Sequence, residues 1–148
     1  MGGELESIAV NSATAGLHLA LEALGIGPGD EVILPTYTFT ATAEVVRYLG
    51  GTPIFVDVLE DTYNIDPAAI VAAITPRTKA IMPVHMYGNM CDMNSIMEIA
   101  KKNGESVNIT TINSIKSELN IQVSSKTNNS SNKINPSGFF SYCINDKL

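Results

Sequence analysis

AVNSATAGLHLALEALGIGPGDEVILP, from Ala9 to Pro35, passes from a short apolar stretch through small and hydroxyl-bearing residues into a helix-period segment, a glycine-rich turn and a second apolar run. Leu17, Leu21 and Leu24 recur at helical spacing with Ala20 on the same face, which predicts a helix from about Thr14 to Leu24. GIGPGD supplies the turn chemistry that ends it, and EVILP reads as a buried strand. The junction Asn11–Gly16 is the chemically unusual part. A strand, a turn of small residues and a helix start leave several N–H groups unpaired at the positive end of the helix dipole. That is an anion site, with phosphate its usual occupant, and Ser12 and Thr14 offer hydroxyls beside it. The commoner reading of the same residues is that Ser12 or Thr14 simply caps the helix.

The alternation continues outward from this unit. SIAV (7–10) is a short strand, TATAEVVRYLG (40–50) a helix ending at Gly50-Gly51, and TPIFVDV (52–58) a strand. Asp66 caps a helix whose first residue is Pro67, the position where a missing N–H costs nothing. KAIMPVHMYG (79–88) follows as strand and loop. In DMNSIMEIAKKNG (92–104) Asp92 is the cap, Lys101 and Lys102 lie at the negative helix end, and Gly104 is the terminator. Strands alternating with helices at this spacing imply crossover connections and an α/β fold, a mostly parallel sheet with flanking helices. Ligands of such sheets bind off the carboxyl ends of the strands. Asn11–Gly16, Pro35–Thr42 and His85–Gly88 all fall on that edge.

Composition excludes several classes. The 148 residues are 45% hydrophobic and 16% charged with a net charge of −6, a soluble globular profile that argues against a nucleic-acid partner. The apolar runs are too short to span a bilayer, and MGGELES has neither the basic nor the apolar region of a signal peptide. Cys91 and Cys143 form no disulfide framework and have no metal-ligand spacing, so no metal is expected and a reducing cytoplasm is the plain reading. Gly25, Gly27 and Gly29 mimic part of a dinucleotide fingerprint, but they follow a helix and precede a strand, the reverse of the required order.

The chain changes character near Gly104. Roughly twenty of the residues from Glu105 onward are Ser, Asn or Thr, a low-complexity bias. SSKTNNSSN (124–132) has no apolar face at any period and reads as disordered; SVNITTI (106–112) is a strand candidate without a helix to follow it. The organisation is therefore 1–104 as an α/β domain and 105–148 as a Ser/Asn-rich tail, disordered or out of frame.

Three further features bear on chemistry. In PTYTFTAT (35–42), Tyr37 or Phe39 has the position to stack on a planar ring, with packing under a helix as the alternative. His85 in PVHMYG lies at a strand end, where a structural hydrogen-bonding role is expected. Met82, Met86, Met90, Met93 and Met97 read as adaptable packing residues.

Residues 9–46, GTPIFVDV (51–58), YNIDPAAIVAAITPRTKAIMPVHMYGNMCDM (63–93) and IMEIAKKNG (96–104) together resemble the DegT/StrS group of nucleotide-sugar aminotransferases, nearest the perosamine-synthase type. The resemblance runs in order over about residues 8 to 104. It implies a partial large domain of the pyridoxal-phosphate (PLP) dependent aspartate-aminotransferase fold. It also implies homodimers with active sites at the subunit interface, and amino transfer from glutamate to a nucleotide-linked keto sugar. Ser12, Ala13, Thr14 and Ala15 match the loop that holds the cofactor phosphate, largely through backbone N–H groups; Ala13 stands where glycine is common. Phe39 matches the aromatic against the pyridine ring. His85 matches a motif position to which no chemistry is assigned.

The resemblance stops after Gly104. The family has a strand ending in an Asp that pairs with the pyridine nitrogen, and GESVNITTINS (104–114) contains no Asp. GFFSYCINDKL (138–148) faintly echoes the Ser-aromatic stretch before the Schiff-base lysine, but Lys147 lies six residues after Ser141 where five are usual. Lys147 is the one candidate for that role. The family's small domain and its usual segment before SIAV are also missing from the text. The expectation is a truncated aminotransferase, inactive as this chain. Alternatives are a non-catalytic phosphate- or PLP-binding module and a short interaction protein.

Overall fold

The computed structural model describes the backbone of residues 7–8, 10–103, 108–115, 118–124 and 142–143, and side chains over 10–103. The elements in chain order are β1 (Ser7–Ile8), α1 (Ala13–Ala23), β2 (Glu31–Pro35), α2 (Ala41–Tyr48), β3 (Thr52–Val56) and α3 (Pro67–Ala73). There follow β4 (Thr78–Ile81), β5 (Val84–His85), a short 3-10 turn at Met86–Gly88, α4 (Met93–Lys102), β6 (Asn108–Ile115), β7 (Glu118–Ser124) and β8 (Tyr142–Cys143).

The caps explain why the helices begin where the sequence suggests. Ser12 accepts a hydrogen bond from the Ala15 N–H, Asp66 from that of Ala68 and Asp92 from that of Ser95. At the other end of α1, the Gly25 N–H bonds to Glu22 and the Ile26 N–H to Leu21, so the glycine run is a helix-ending turn.

The sheet order is β1-β8-β7-β6-β4-β2-β3, with β5 also paired to β6. β2 pairs in parallel with β3 and β4, and β4 with β6, as the crossover argument requires. β2 is buried along its whole length because both faces of the sheet are covered. Val32 and Leu34 face one side, with Leu17 and Leu21 of α1, Val45 and Val46 of α2, Ala80 and Met82. Ile33 faces the other, with Ile81, Val56, Ile70 of α3 and Ile96 of α4. Truncating Ile33, fully buried in the second cluster, to Ala costs about 3 kcal/mol.

The segment after Gly104 departs from the sequence reading in part. The strand expected over 106–112 is present as β6, and β7 is a second strand, antiparallel to it, that was not expected. Ile109, Ile112 and Ile115 in β6, and Leu119, Ile121 and Val123 in β7, give the apolar content that sustains a hairpin even in a polar context. Most of SSKTNNSSN, and Lys147, lie outside the described residues. Among the described residues no helix is long and apolar enough to cross a membrane.

Candidate functional site

Strand polarity decides which loops share an edge. β6 is antiparallel to β7, β8 is parallel to β7, and β1 is antiparallel to β8. β1 therefore runs parallel to β6, β4 and β2. The turn that leads from β1 into α1, the β2–α2 loop and the segment after β5 thus all leave the sheet at its carboxyl edge, as expected for a ligand site.

At the start of α1, Ser12 is extended (φ −157°, ψ 156°) and its Oγ accepts from the Ala15 N–H at 3.2 Å. The Gly16 N–H bonds to the Ser12 carbonyl at 3.2 Å. Ser12 is thus the cap, as the commoner sequence reading holds. The amide of Ala15 is engaged by it, and those of Ala13 and Thr14 have no protein acceptor among the described residues. No acidic side chain occupies the first turn. These two N–H groups lie at the positive end of an 11-residue helix, the local arrangement that favours an anion.

The aromatic residues of the β2–α2 loop are not packed under a helix. Phe39 is 76% exposed and Tyr37 is half-exposed, which removes the packing alternative. The Tyr37 hydroxyl lies 2.7 Å from that of Tyr87, and its ring is 5.5 Å from that of Tyr63 at 41°. The hydrogen bond to Tyr87 raises the Tyr37 phenol above its ordinary range. No hydrogen bond or ring contact among the described residues joins Phe39 to Ser12–Ala15; they share the edge.

His85 is buried, and its Nδ1 accepts the Cys91 N–H at 3.1 Å. The ring is therefore neutral with its proton on Nε2, and burial lowers its basicity. This is the structural histidine expected. Cys91 is buried, donates to the Val84 carbonyl and has its thiol pushed up to about 11 by desolvation, so it is no nucleophile. Four of the five methionines singled out are buried or partly buried, but Met90 is exposed at this same edge and is not a packing residue. Asn64 and Tyr63, which sequence reasoning missed, belong to the site's support.

The described lysines lie elsewhere. Lys79 Nζ donates to the Gly25 carbonyl at 2.6 Å and to Asp30 at 3.2 Å, both at the amino edge. Lys101 and Lys102 close α4.

Comparison with known proteins decides the lineage. Residues 2–118 match the DegT/DnrJ/EryC1/StrS aminotransferase family. The chain belongs to that family. It is 56% identical over 100 residues to GDP-perosamine synthase of Caulobacter vibrioides, a match over 68% of this chain and 27% of the relative. Among solved structures it resembles 3-amino-5-hydroxybenzoic acid synthase, with TM-score 0.69 and 46% identity over 71% of this chain and 27% of that one. NtdA of Bacillus subtilis, solved with bound cofactor PMP, is 40% identical with TM-score 0.65 over 72% of this chain and 28% of that one. The chain therefore spans about a quarter of the length of these family members. Solved relatives include sugar aminotransferases in PLP and PMP forms.

Proposed function

We propose that residues 10–103 are the cofactor-phosphate half of the large domain of a PLP-dependent aminotransferase that moves an amino group from glutamate to a nucleotide-linked keto sugar. The observation that supports this most directly is the pair of unengaged amides, Ala13 and Thr14, at the start of α1. The donor set suits the group: uncharged N–H donors and the Thr14 hydroxyl for a phosphate dianion, and an exposed aromatic ring on the same edge for a pyridine face. When bound, PLP supplies the electron sink for the chemistry.

The roles of this chain's residues follow from position. Ala13 and Thr14 hold the phosphate through their N–H groups, and Ser12 keeps the helix start rigid by its bond to Ala15. Phe39 covers one face of the ring and excludes water from it. The described residues bring no lysine to the carboxyl edge, and the role proposed for this stretch is to bind and orient the cofactor. In the homodimer the family resemblance implies, the site lies at the subunit interface.

Isothermal titration of the purified full chain with pyridoxamine phosphate, and with inorganic phosphate as competitor, tests the reading. Competitive binding of both, without glutamate-dependent amination of a keto-sugar nucleotide, is expected. Absence of binding by either ligand overturns the cofactor reading, and turnover overturns the assignment of a purely binding role.

A further inference from the structure

Asn64 is 3% exposed and uses its whole side-chain amide on one turn. Its Oδ1 accepts the Met86 N–H at 3.0 Å, and its Nδ2 donates to the carbonyls of Asn89 and Met90 at 3.2 and 3.1 Å. The same turn is closed by the Asn89 N–H on the Met86 carbonyl and by Cys91 on His85. Inside it, Tyr87 is held at φ 53°, ψ 25°, a left-handed conformation that a bulky residue adopts only when its surroundings impose it. Tyr63, the residue before Asn64, is left-handed too, at φ 56°. Both tyrosines are exposed, and both meet Tyr37: Tyr87 through its hydroxyl, Tyr63 through its ring. Three loops thus converge on Tyr37, two residues from Phe39, and Asn64 is the buried group common to two of them.

We infer that Asn64 is a positioning residue for the aromatic loop: by fixing the Met86–Cys91 turn it places Tyr87 against Tyr37 and so sets the loop that carries Phe39. Neither left-handed tyrosine packs in the core, so the strain serves no packing purpose. Its structural effect is to aim two phenol rings at one loop. This inference rests on the cofactor reading above only for what Phe39 touches. The coupling from Asn64 to Tyr37 stands on the geometry alone.

The test uses the full chain labelled with 3-fluorotyrosine and observed by fluorine NMR, alongside titration with pyridoxamine phosphate and inorganic phosphate. Tyr87→Phe, a surface change, is expected to move the Tyr37 resonance and to weaken pyridoxamine phosphate about 10-fold with phosphate affinity unchanged. Asn64→Ala is expected to move the same resonance and to lower the same affinity ratio, beyond any fall in melting temperature. If Asn64→Ala does not fold, Asn64→Asp keeps the acceptor for Met86 but sets a carboxylate oxygen against the Asn89 and Met90 carbonyls. It is expected to shift the Tyr37 resonance in the same direction. A variant at Asn64 that folds with lower stability but leaves the Tyr37 resonance and the affinity ratio at their original values overturns the positioning role. Failure of the unmodified chain to bind pyridoxamine phosphate sinks the cofactor reading instead, and the fluorine resonances still decide the coupling.

Discussion

The two edges of the sheet are built to opposite rules. At the amino edge the charges that flank β2 and β4 are paired. Glu31, buried at the start of β2, accepts from Arg77 Nε at 2.8 Å and from the Thr75 hydroxyl, while Asp30 joins Lys79 to the Gly27 N–H. Left-handed backbone there falls on Gly25, Gly29 and Gly50, where no Cβ resists it. At the carboxyl edge two amides have no partner among the described residues, Phe39 projects into solvent, and left-handed backbone falls on Tyr63 and Tyr87 as well as on Gly88. One edge satisfies its polar groups internally and holds the elements together. The other leaves donors and ring faces open at a cost in stability, which is the expected mark of a binding edge.

The largest effect that bears on this contrast is at the amino edge. Glu31→Ala removes the acceptor of both Thr75 and Arg77, and it is expected to lower stability by about 2 kcal/mol in denaturant titration. Phosphate affinity should not change. A loss of binding on the same scale breaks the division of labour between the edges.

At the other edge the expected losses are in binding. Ala13 is the first helical residue and Ser12 before it is extended, so Ala13→Pro removes one unengaged N–H at a position where proline fits. Affinity for pyridoxamine phosphate and for inorganic phosphate should fall together by about 10-fold, with stability within about 0.5 kcal/mol of the original. Phe39→Ala is expected to weaken only pyridoxamine phosphate, since inorganic phosphate has no ring to cover. Tyr87→Gly sharpens the contrast further. Releasing the left-handed strain should raise stability by about 1 kcal/mol while it weakens pyridoxamine phosphate binding, a gain and a loss from one residue.

How much of this was legible in the sequence follows the range of the interactions. Asp66-Pro67 and Asp92 marked helix starts because a cap and its N–H are two or three residues apart. The carboxyl-edge placement of Asn11–Gly16 and Phe39 was legible because strand polarity follows from crossover connections. The clamp of Glu31 on Arg77 joins residues 46 apart, and the Tyr37–Tyr87 pair spans 50, distances at which no local pattern speaks. Asn64 gave no signal because a buried amide and a turn residue look alike in a sequence. The left-handed Tyr63 and Tyr87 defeat propensity altogether, since glycine or asparagine is what such positions favour. β7 was missed because the surrounding Ser/Asn bias masked the short apolar alternation of Leu119, Ile121 and Val123.

Acidification separates the edges most finely. Burial holds the folded His85 below the usual 6.5, so the unfolded chain takes up that proton first as pH falls, and the stability His85 contributes is complete above about pH 6.5 and declines below it. Hydrogen bonds from Thr75 and then Arg77 hold the folded Glu31 below the usual 4.5. Its contribution is therefore complete above about pH 4.5 and is lost only as pH falls from there through the folded value. Between those limits the carboxyl edge should loosen while the amino edge stays clamped. Hydrogen-exchange protection, corrected for the intrinsic rate, should fall for the Cys91 amide, which is bonded to His85, between pH 6.5 and 5. That of the Glu31 amide, bonded to the Arg77 carbonyl, should hold over the same range. Parallel loss at both amides would mean that the sheet opens as one unit and that its edges, however different their chemistry, share a single stability.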